Sequence, residues 1–320
     1  MPHPNHLRWA VNCKTWNISE TELLTCLQSI QPEECTRIGR FRFRRDAILA
    51  LTGRLLLRKA VCETLNIPWN EVKLGRTARN KPTVLNILYQ SNTPLHTRTG
   101  LDTAFDTDEA NNIECLTGWQ YNVSHHGEYS VLAGEIGRMC GVDVMSLDAQ
   151  EDIDDFFDLM SPQCSKKEWI EIRSSDCPLE HFYRIWTLKE SYIKATGEGL
   201  HLDLQKAVFA QDKTCAFDEW GVGVVAMETK FELDGEQRLD WVFEQSYLDA
   251  NHCVAVGLGP ICDELASSNV RERESGKVRV FEHISTQTLL KGLTTVDDSV
   301  TLQYARAILR KPWSVHEDLF

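Results

Sequence analysis

Two long segments of helical period, residues 44–65 and 180–196, stand far apart in this chain, and each is followed by short strand-like runs. Those runs are YSVLAGEI (129–136), CGVDVM (140–145), VGVVAM (222–227), DWVFEQSY (240–247) and CVAVGL (253–258). A helix followed by strands, once per half, predicts an α+β protein of two similarly built halves meeting near residue 137. The expected division is an N-terminal part, 1–137, a second part, 138–260, and a tail, 261–320, of uncertain order. A short helix is expected near 301–310, and no function is read from the tail.

Between the periodic segments lie stretches of a different kind. Residues 89–118 are polar, turn-rich and acidic, which predicts a long surface loop. Residues 147–158 carry six acids and no base, the composition of a solvated face or a helix start. The net charge of −13 argues against a protein that coats nucleic acid through bulk positive charge. No apolar run approaches the roughly 18 residues of a membrane span, and no apolar signal core follows the first residues. Eleven cysteines fall singly, without one C-x-x-C pair, as expected of reduced thiols in the cytosol rather than a disulfide framework or zinc ribbon.

Against that acidic total, residues 37–59 hold eight Arg or Lys and one acid. On a helical wheel Phe41, Ile48, Leu55 and Leu56 form an apolar arc that includes Arg45. A guanidinium on an inward face needs an anion, either an acid of its own fold or a ligand. A second basic cluster, GRTARNKP (75–82), places Arg76, Arg79 and Lys81 in a turn where Asn80 suits a left-handed backbone. It reads as a solvated loop or as a phosphate cradle. In YNVSHHGEYS, Asn122, Ser124 and His125 are expected in a loop just before a strand, bent by Gly127. No G-x-S-x-G elbow surrounds Ser124, and His125 with His126 lacks correctly spaced zinc partners, leaving ligand hydrogen bonding or loop capping.

Alternation in GVDVM turns Asp143 and Met145 away from Val142 and Val144. A lone acid in such a strand lies at an edge or meets a cation or metal. In WTLKESYIKATGEGL, Trp186, Glu190 and Lys194 share one helix face at i, i+4 and i+8. Taken plainly, Glu190 and Lys194 form a helical ion pair worth about 0.3–0.5 kcal/mol. Carboxylate, amine and aromatic on one face before the glycine-flanked end at Gly197 and Gly199 form a more specific pattern.

G-V-D at 141–143 followed by W-T-L-K-E-S-Y-I-K at 186–194 resembles the paired signature of the 4′-phosphopantetheinyl transferases. G-R-T-A-R-N-K-P resembles that family's G-R-x-x-x-G-K-P, and N-V-S-H-H-G its N-x-S-H-x-G. The run S-I-Q-P-E-E…R-I-G-R-F…R-D…G-R-L…R-K…N-I-P-W-N resembles the animal branch of the family, so the likeness runs in order over about residues 7–258. It implies two α/β subdomains related by a pseudo-two-fold. It also implies Mg²⁺-dependent transfer of phosphopantetheine from coenzyme A to a serine of an apo carrier domain, releasing adenosine 3′,5′-bisphosphate.

By the same resemblance Asp143 and Glu190 hold Mg²⁺, Glu190 accepts the serine proton, and Lys194 neutralises a phosphate. Arg45, the turn Arg76, Thr77, Ala78, Arg79, Asn80 and Lys81, and the run Asn122, Val123, Ser124 and His125 bind the nucleotide end. Arg45 and His125 are expected at the 3′-phosphate. The carrier partners it implies are fatty acid synthase and an aminoadipate-semialdehyde-type reductase, with no nucleic acid or membrane partner and a monomer sufficing. Two departures stand out: Asn80 replaces the glycine of G-K-P, and Met145 takes the place of a third acid found in bacterial relatives. A thioether is a poor Mg²⁺ ligand, so a water is expected there. The rival reading is a coenzyme-A-binding adaptor of the same fold without turnover.

Overall fold

Apolar side chains alternate along the central strands, and that alternation stacks two small sheets face to face with one long helix on the outer side of each. The computed structural model describes residues 6–76, 82–85, 119–148, 150, 152–199, 202–211, 221–260 and 279–314. The first sheet contains β1 (His6–Asn12), β4 (Trp119–His126), β5 (Tyr129–Ile136) and β12 (Glu282–His283), in the order β12-β1-β5-β4. The second contains β6 (Met139–Ser146), β10 (Val242–Asp249) and β11 (His252–Gly259), in the order β10-β11-β6. Val131 and Ala133 of β5, Val142 and Val144 of β6, and Val254 and Val256 of β11 fill the space between them. Their neighbours in sequence point outward.

Helices α1 (Glu20–Gln28), α2 (Pro32–Gly39) and α3 (Arg44–Leu65) share a core with the outer face of the first sheet. Leu132 of β5 lies in that core, and the Ser130 hydroxyl donates to the Leu49 carbonyl of α3 at 2.7 Å. β2 (Leu74–Arg76) and β3 (Pro82–Val84) form a separate antiparallel pair. On the other side, α4 (Ile153–Leu159), α5 (Lys166–Arg173) and α6 (Pro178–Thr196) join an aromatic-rich core with β7 (Ala207–Ala210), β8 (Lys230–Leu233) and the second sheet. β9 (Glu236–Gln237) extends β8. After β12 come α7 (Thr286–Leu290) and α8 (Leu302–Leu309), and Leu289, Ala305 and Ile308 enter the core of α1 to α3.

The expected helix 44–65 and strand 129–136 have the bounds observed, and the tail helix lies where it was placed. The acidic run 147–158 begins α4, whose N-cap Asp152 accepts from the Asp155 amide. Two expectations are corrected. Residues 222–227 form no strand, only single bridges at Val222 and Ala226, because Gly221 and Gly223 take left-handed φ of 61° and 84°. Asn122 to His125 lie inside β4, not in a loop before a strand. The turn follows them, where Gly127 has φ 57° and an added Cβ would run into the His252 ring. The expected loop 89–118 lies outside the described residues.

Candidate active site at the seam between the sheets

Edge strand β4 of the first sheet runs beside edge strand β6 of the second, and its polar residues at every second position face the seam. Asn122 Oδ1 accepts the Val142 amide at 3.0 Å, and His126 Nδ1 accepts the Ser146 amide at 2.9 Å. Between these two clamps the Ser124 hydroxyl donates to Asp143 Oδ1 at 2.8 Å. The Asn122 side chain is therefore committed to joining the sheets, a role that sequence reasoning did not give it. His126, left out of the candidate residues, does the same work.

Helix α6 supplies the rest of the site. It can lie directly on β6 because residue 141 is glycine: an added Cβ there would meet the Ser191 carbonyl oxygen and the Ala195 amide nitrogen. The G of G-V-D is thus the contact that brings the two signatures together. Pro178 starts α6, and Gly197, with φ 71°, ends it. Lys189 is wholly buried and anchors the helix, with Nζ donating to the Leu204 carbonyl at 2.8 Å and lying 3.0 Å from Glu168 Oε1. Its neighbour Glu190 lies close enough to Asp143 and Lys194 to feel both charges.

Lys194 Nζ lies 2.5 Å from Asp143 Oδ1 and 2.8 Å from Ser124 Oγ, closing a ring of three polar groups. The plain helical pairing of Glu190 with Lys194 is thereby superseded, since the ammonium is engaged by Asp143. The other Asp143 oxygen, Oδ2, is buried with no hydrogen-bond partner. A buried carboxylate oxygen left bare is costly unless a cation completes it. Burial first, and then the charge of Asp143, push the Glu190 carboxyl above the usual carboxylate range, while Lys194 pulls it back. Two carboxylates facing one ammonium therefore leave an excess of negative charge.

That donor set fits a hard divalent cation. Mg²⁺ takes one or two protein carboxylates and fills its remaining positions with water and substrate phosphate oxygens. Among the described residues no group of three or more His, Cys, Asp and Glu converges. Met145, at the position of a third acid, is partly buried against the aromatic cluster.

The basic groups lie on the α3 side of β4. His125 reaches solvent, and desolvation, with Lys194 and Arg54 nearby, pulls its pKa down to about 4. Arg54, which sequence reasoning passed over, pairs with Glu34 at 3.6 Å. Burial first and then the neighbouring Arg54 and Arg37 pull Arg76 down to about 10, which marks a crowd of guanidinium groups at α2, α3 and β2. Arg45 stands in the first turn of α3 with Nε 3.7 Å from Asp46 Oδ1, a loose pairing, and Nε has no hydrogen-bond partner. Because α3 begins at Arg44, Phe41 lies outside it, and the wheel that placed Arg45 among apolar residues does not apply. Val123 packs against Gly53 of α3. Thr77, Ala78, Arg79, Asn80 and Lys81 lie outside the described residues.

Comparison with known proteins accounts for most of the chain. A family model described as 4′-phosphopantetheinyl transferase, N-terminal, matches residues 14–98, and one described as 4′-phosphopantetheinyl transferase superfamily matches residues 139–257. The L-aminoadipate-semialdehyde dehydrogenase-phosphopantetheinyl transferase of Homo sapiens is 40% identical over 263 residues, covering 81% of this chain and 76% of that protein. Its Xenopus laevis counterpart is 40% identical over 260 residues, 80% of this chain and 76% of its own length. A phosphopantetheinyl transferase of Thraustochytrium sp. is 31% identical over 260 residues, 78% of this chain and 77% of that protein.

Proposed function

This chain belongs to the 4′-phosphopantetheinyl transferases, and we propose that it moves the phosphopantetheine group of coenzyme A onto a serine of an apo carrier domain, releasing adenosine 3′,5′-bisphosphate. The observation that carries the reading in this detail is the bare Asp143 Oδ2, with Glu190 close enough to feel the Asp143 charge and the other Asp143 oxygen gripped by Lys194 and Ser124. Asp143 and Glu190 would hold Mg²⁺. When bound, the ion neutralises pyrophosphate charge and stabilises the departing bisphosphate.

The remaining roles follow from what each side chain can do where it stands. A half-buried carboxyl whose proton affinity is raised is suited to accept the serine proton at its free oxygen, the part we give Glu190. Lys194 carries a fixed positive charge at the same point and would meet the pyrophosphate as negative charge grows on the leaving group. Ser124 holds both Lys194 and Asp143, so it orients the two without reacting. Arg45, Arg76 with the 77–81 segment, and His125 would take the nucleotide end, with Arg45 and His125 at the 3′-phosphate. The attacking hydroxyl belongs to the carrier, so the chain needs no nucleophile of its own.

The finer organisation is likewise our reading: subdomains 1–137 and 138–260 related by a pseudo-two-fold, in a cytosolic monomer. The described residues of the tail pack with the first subdomain, through β12 beside β1 and through Leu289, Ala305 and Ile308 in the core of α1 to α3. Carrier domains of fatty acid synthase and of an aminoadipate-semialdehyde-type reductase are the partners proposed, the second supported by the name of the Homo sapiens relative. The test is the intact mass of purified apo carrier domains incubated with the protein, coenzyme A and Mg²⁺. A gain of one phosphopantetheine per carrier is expected. An unchanged carrier mass, with coenzyme A bound to the protein, would contradict transfer and leave an adaptor.

A further inference from the structure

The N-terminus of α3 is capped by a distant part of the chain. Phe43 occupies the N-cap position and offers no side-chain acceptor, so the first amides of the helix need partners from elsewhere. The Arg44 amide donates to the Pro312 carbonyl at 2.8 Å, and the Arg45 amide to the Trp313 carbonyl at 3.2 Å. These acceptors are held in place by their neighbours. Lys311 Nζ donates to the carbonyls of Gly39, at 2.7 Å, and Phe41, which fixes the strap to the α2–α3 connection. The Arg44 guanidinium lies 5.1 Å from the centre of the Trp313 ring and donates to the Leu309 carbonyl at 3.2 Å. Behind them α8 is seated in the core of α1 to α3 through Ala305 and Ile308.

A free helix N-terminus attracts anions through its exposed amides. Here at least the first two amides are already engaged, so an anion approaching α3 is met by side chains of the first turn, Arg45 foremost. We propose that the strap Lys311–Trp313 sets the first turn of α3 and thereby the position of the Arg45 guanidinium toward the coenzyme A 3′-phosphate. This rests on the reading of Arg45 given above. Lys311 and Trp313 are positioning residues: they act through Arg45 and α3 and touch neither the pyrophosphate nor Glu190.

The experiment uses the full chain and calorimetric affinities for two ligands, coenzyme A and dephospho-coenzyme A, which lacks the 3′-phosphate. The double variant Lys311→Met with Trp313→Ala should lose about five-fold in coenzyme A affinity, the equivalent of one lost N-cap. Its affinity for dephospho-coenzyme A and its kcat at saturating coenzyme A should stay at wild-type values. Amide exchange at Arg44 and Arg45 should accelerate, and Trp313→Phe should restore discrimination between the two ligands. Should the double variant not fold, Lys311→Met alone, which keeps the Trp313 ring, is read in the same way. Equal losses for both ligands, or none for either, would overturn the proposal. Arg45→Ala separates the two layers: if it discriminates between the ligands and the strap variant does not, the strap fails alone. If Arg45→Ala does not discriminate, the assignment of Arg45 fails and takes the strap with it.

Discussion

Among the described residues one cluster of charge lies between the sheets and another at the seam beside them, and only the first is complete. At one, Arg8 of β1 reaches Glu135 of β5 at 3.0 Å and Glu244 of β10 at 2.8 Å, and Arg279 meets the same two acids at 3.0 and 3.3 Å. Two cations balance two anions, and none of their buried side-chain atoms is left without a partner. At the other, Asp143, Glu190 and Lys194 leave one carboxylate oxygen bare. Burial pushes both Glu135 and Glu190 upward. Each also feels a neighbouring carboxylate, Glu244 or Asp143, but at Glu135 two guanidinium groups pull back, whereas at Glu190 only Lys194 does. The closed cluster joins the sheets, and the open one is where we propose that a cation and the substrate bind.

The comparison breaks most visibly at the closed cluster. Arg8→Leu leaves two buried carboxylates to share Arg279 alone, which should cost about 3–5 kcal/mol of unfolding free energy. Chemical denaturation should register that loss, while the carrier-loading rate per folded molecule stays at the wild-type value. A rate that falls with stability would make the quartet part of the site.

At the open cluster the order reverses. Asp143→Ala should lower kcat by about 10²-fold or more, the scale of losing one electrostatic contact to the transition state. Stability should change far less than in Arg8→Leu. Mg²⁺ should raise the wild-type melting temperature by mass action, and this shift should vanish in the variant. An unchanged Mg²⁺ response would remove Asp143 from the metal site.

The smallest expected effect concerns His125. With its pKa pulled down to about 4, the ring is neutral at pH 7. A bound 3′-phosphate would raise that pKa, so coenzyme A binding should take up part of a proton at pH 5–6. Binding enthalpies measured in buffers of different ionisation heat should differ accordingly. Identical enthalpies would separate His125 from the phosphate.

What the sequence makes legible here is whatever its own periodicity carries. α3 and β5 announce themselves because their apolar positions keep one period from end to end. β1 escapes notice since Arg8 occupies an inward position, and only Glu244 and Glu135, far along the chain, explain it. β4 escapes for a related reason: Asn122, Ser124 and His126 are its inward residues, and polarity at every second position reads as a loop until β6 lies alongside. The run 222–227 misleads in the opposite direction. Its valines are apolar but exposed, Val222 at 56% and Val224 at 45%, and left-handed glycines break the strand. For the site, the signatures name Asp143, Glu190 and Lys194. The closeness that Gly141 permits, and the bare oxygen it leaves, belong to the packing alone.

Glu190 tests the open cluster most directly, through rate and stability measured on the same variant. Its raised pKa means that the unfolded chain ionises the group more readily than the folded one. Ionised Glu190 therefore costs stability above its folded pKa, and that cost is relieved as pH falls toward the unfolded value. Glu190→Gln removes the charge while keeping the shape. The account predicts that carrier loading slows by about 10²-fold or more, while the metal-free protein at pH 7 becomes no less stable, or more so. A loading rate within a few-fold of wild type, or a loss of stability like that of Arg8→Leu, would contradict it.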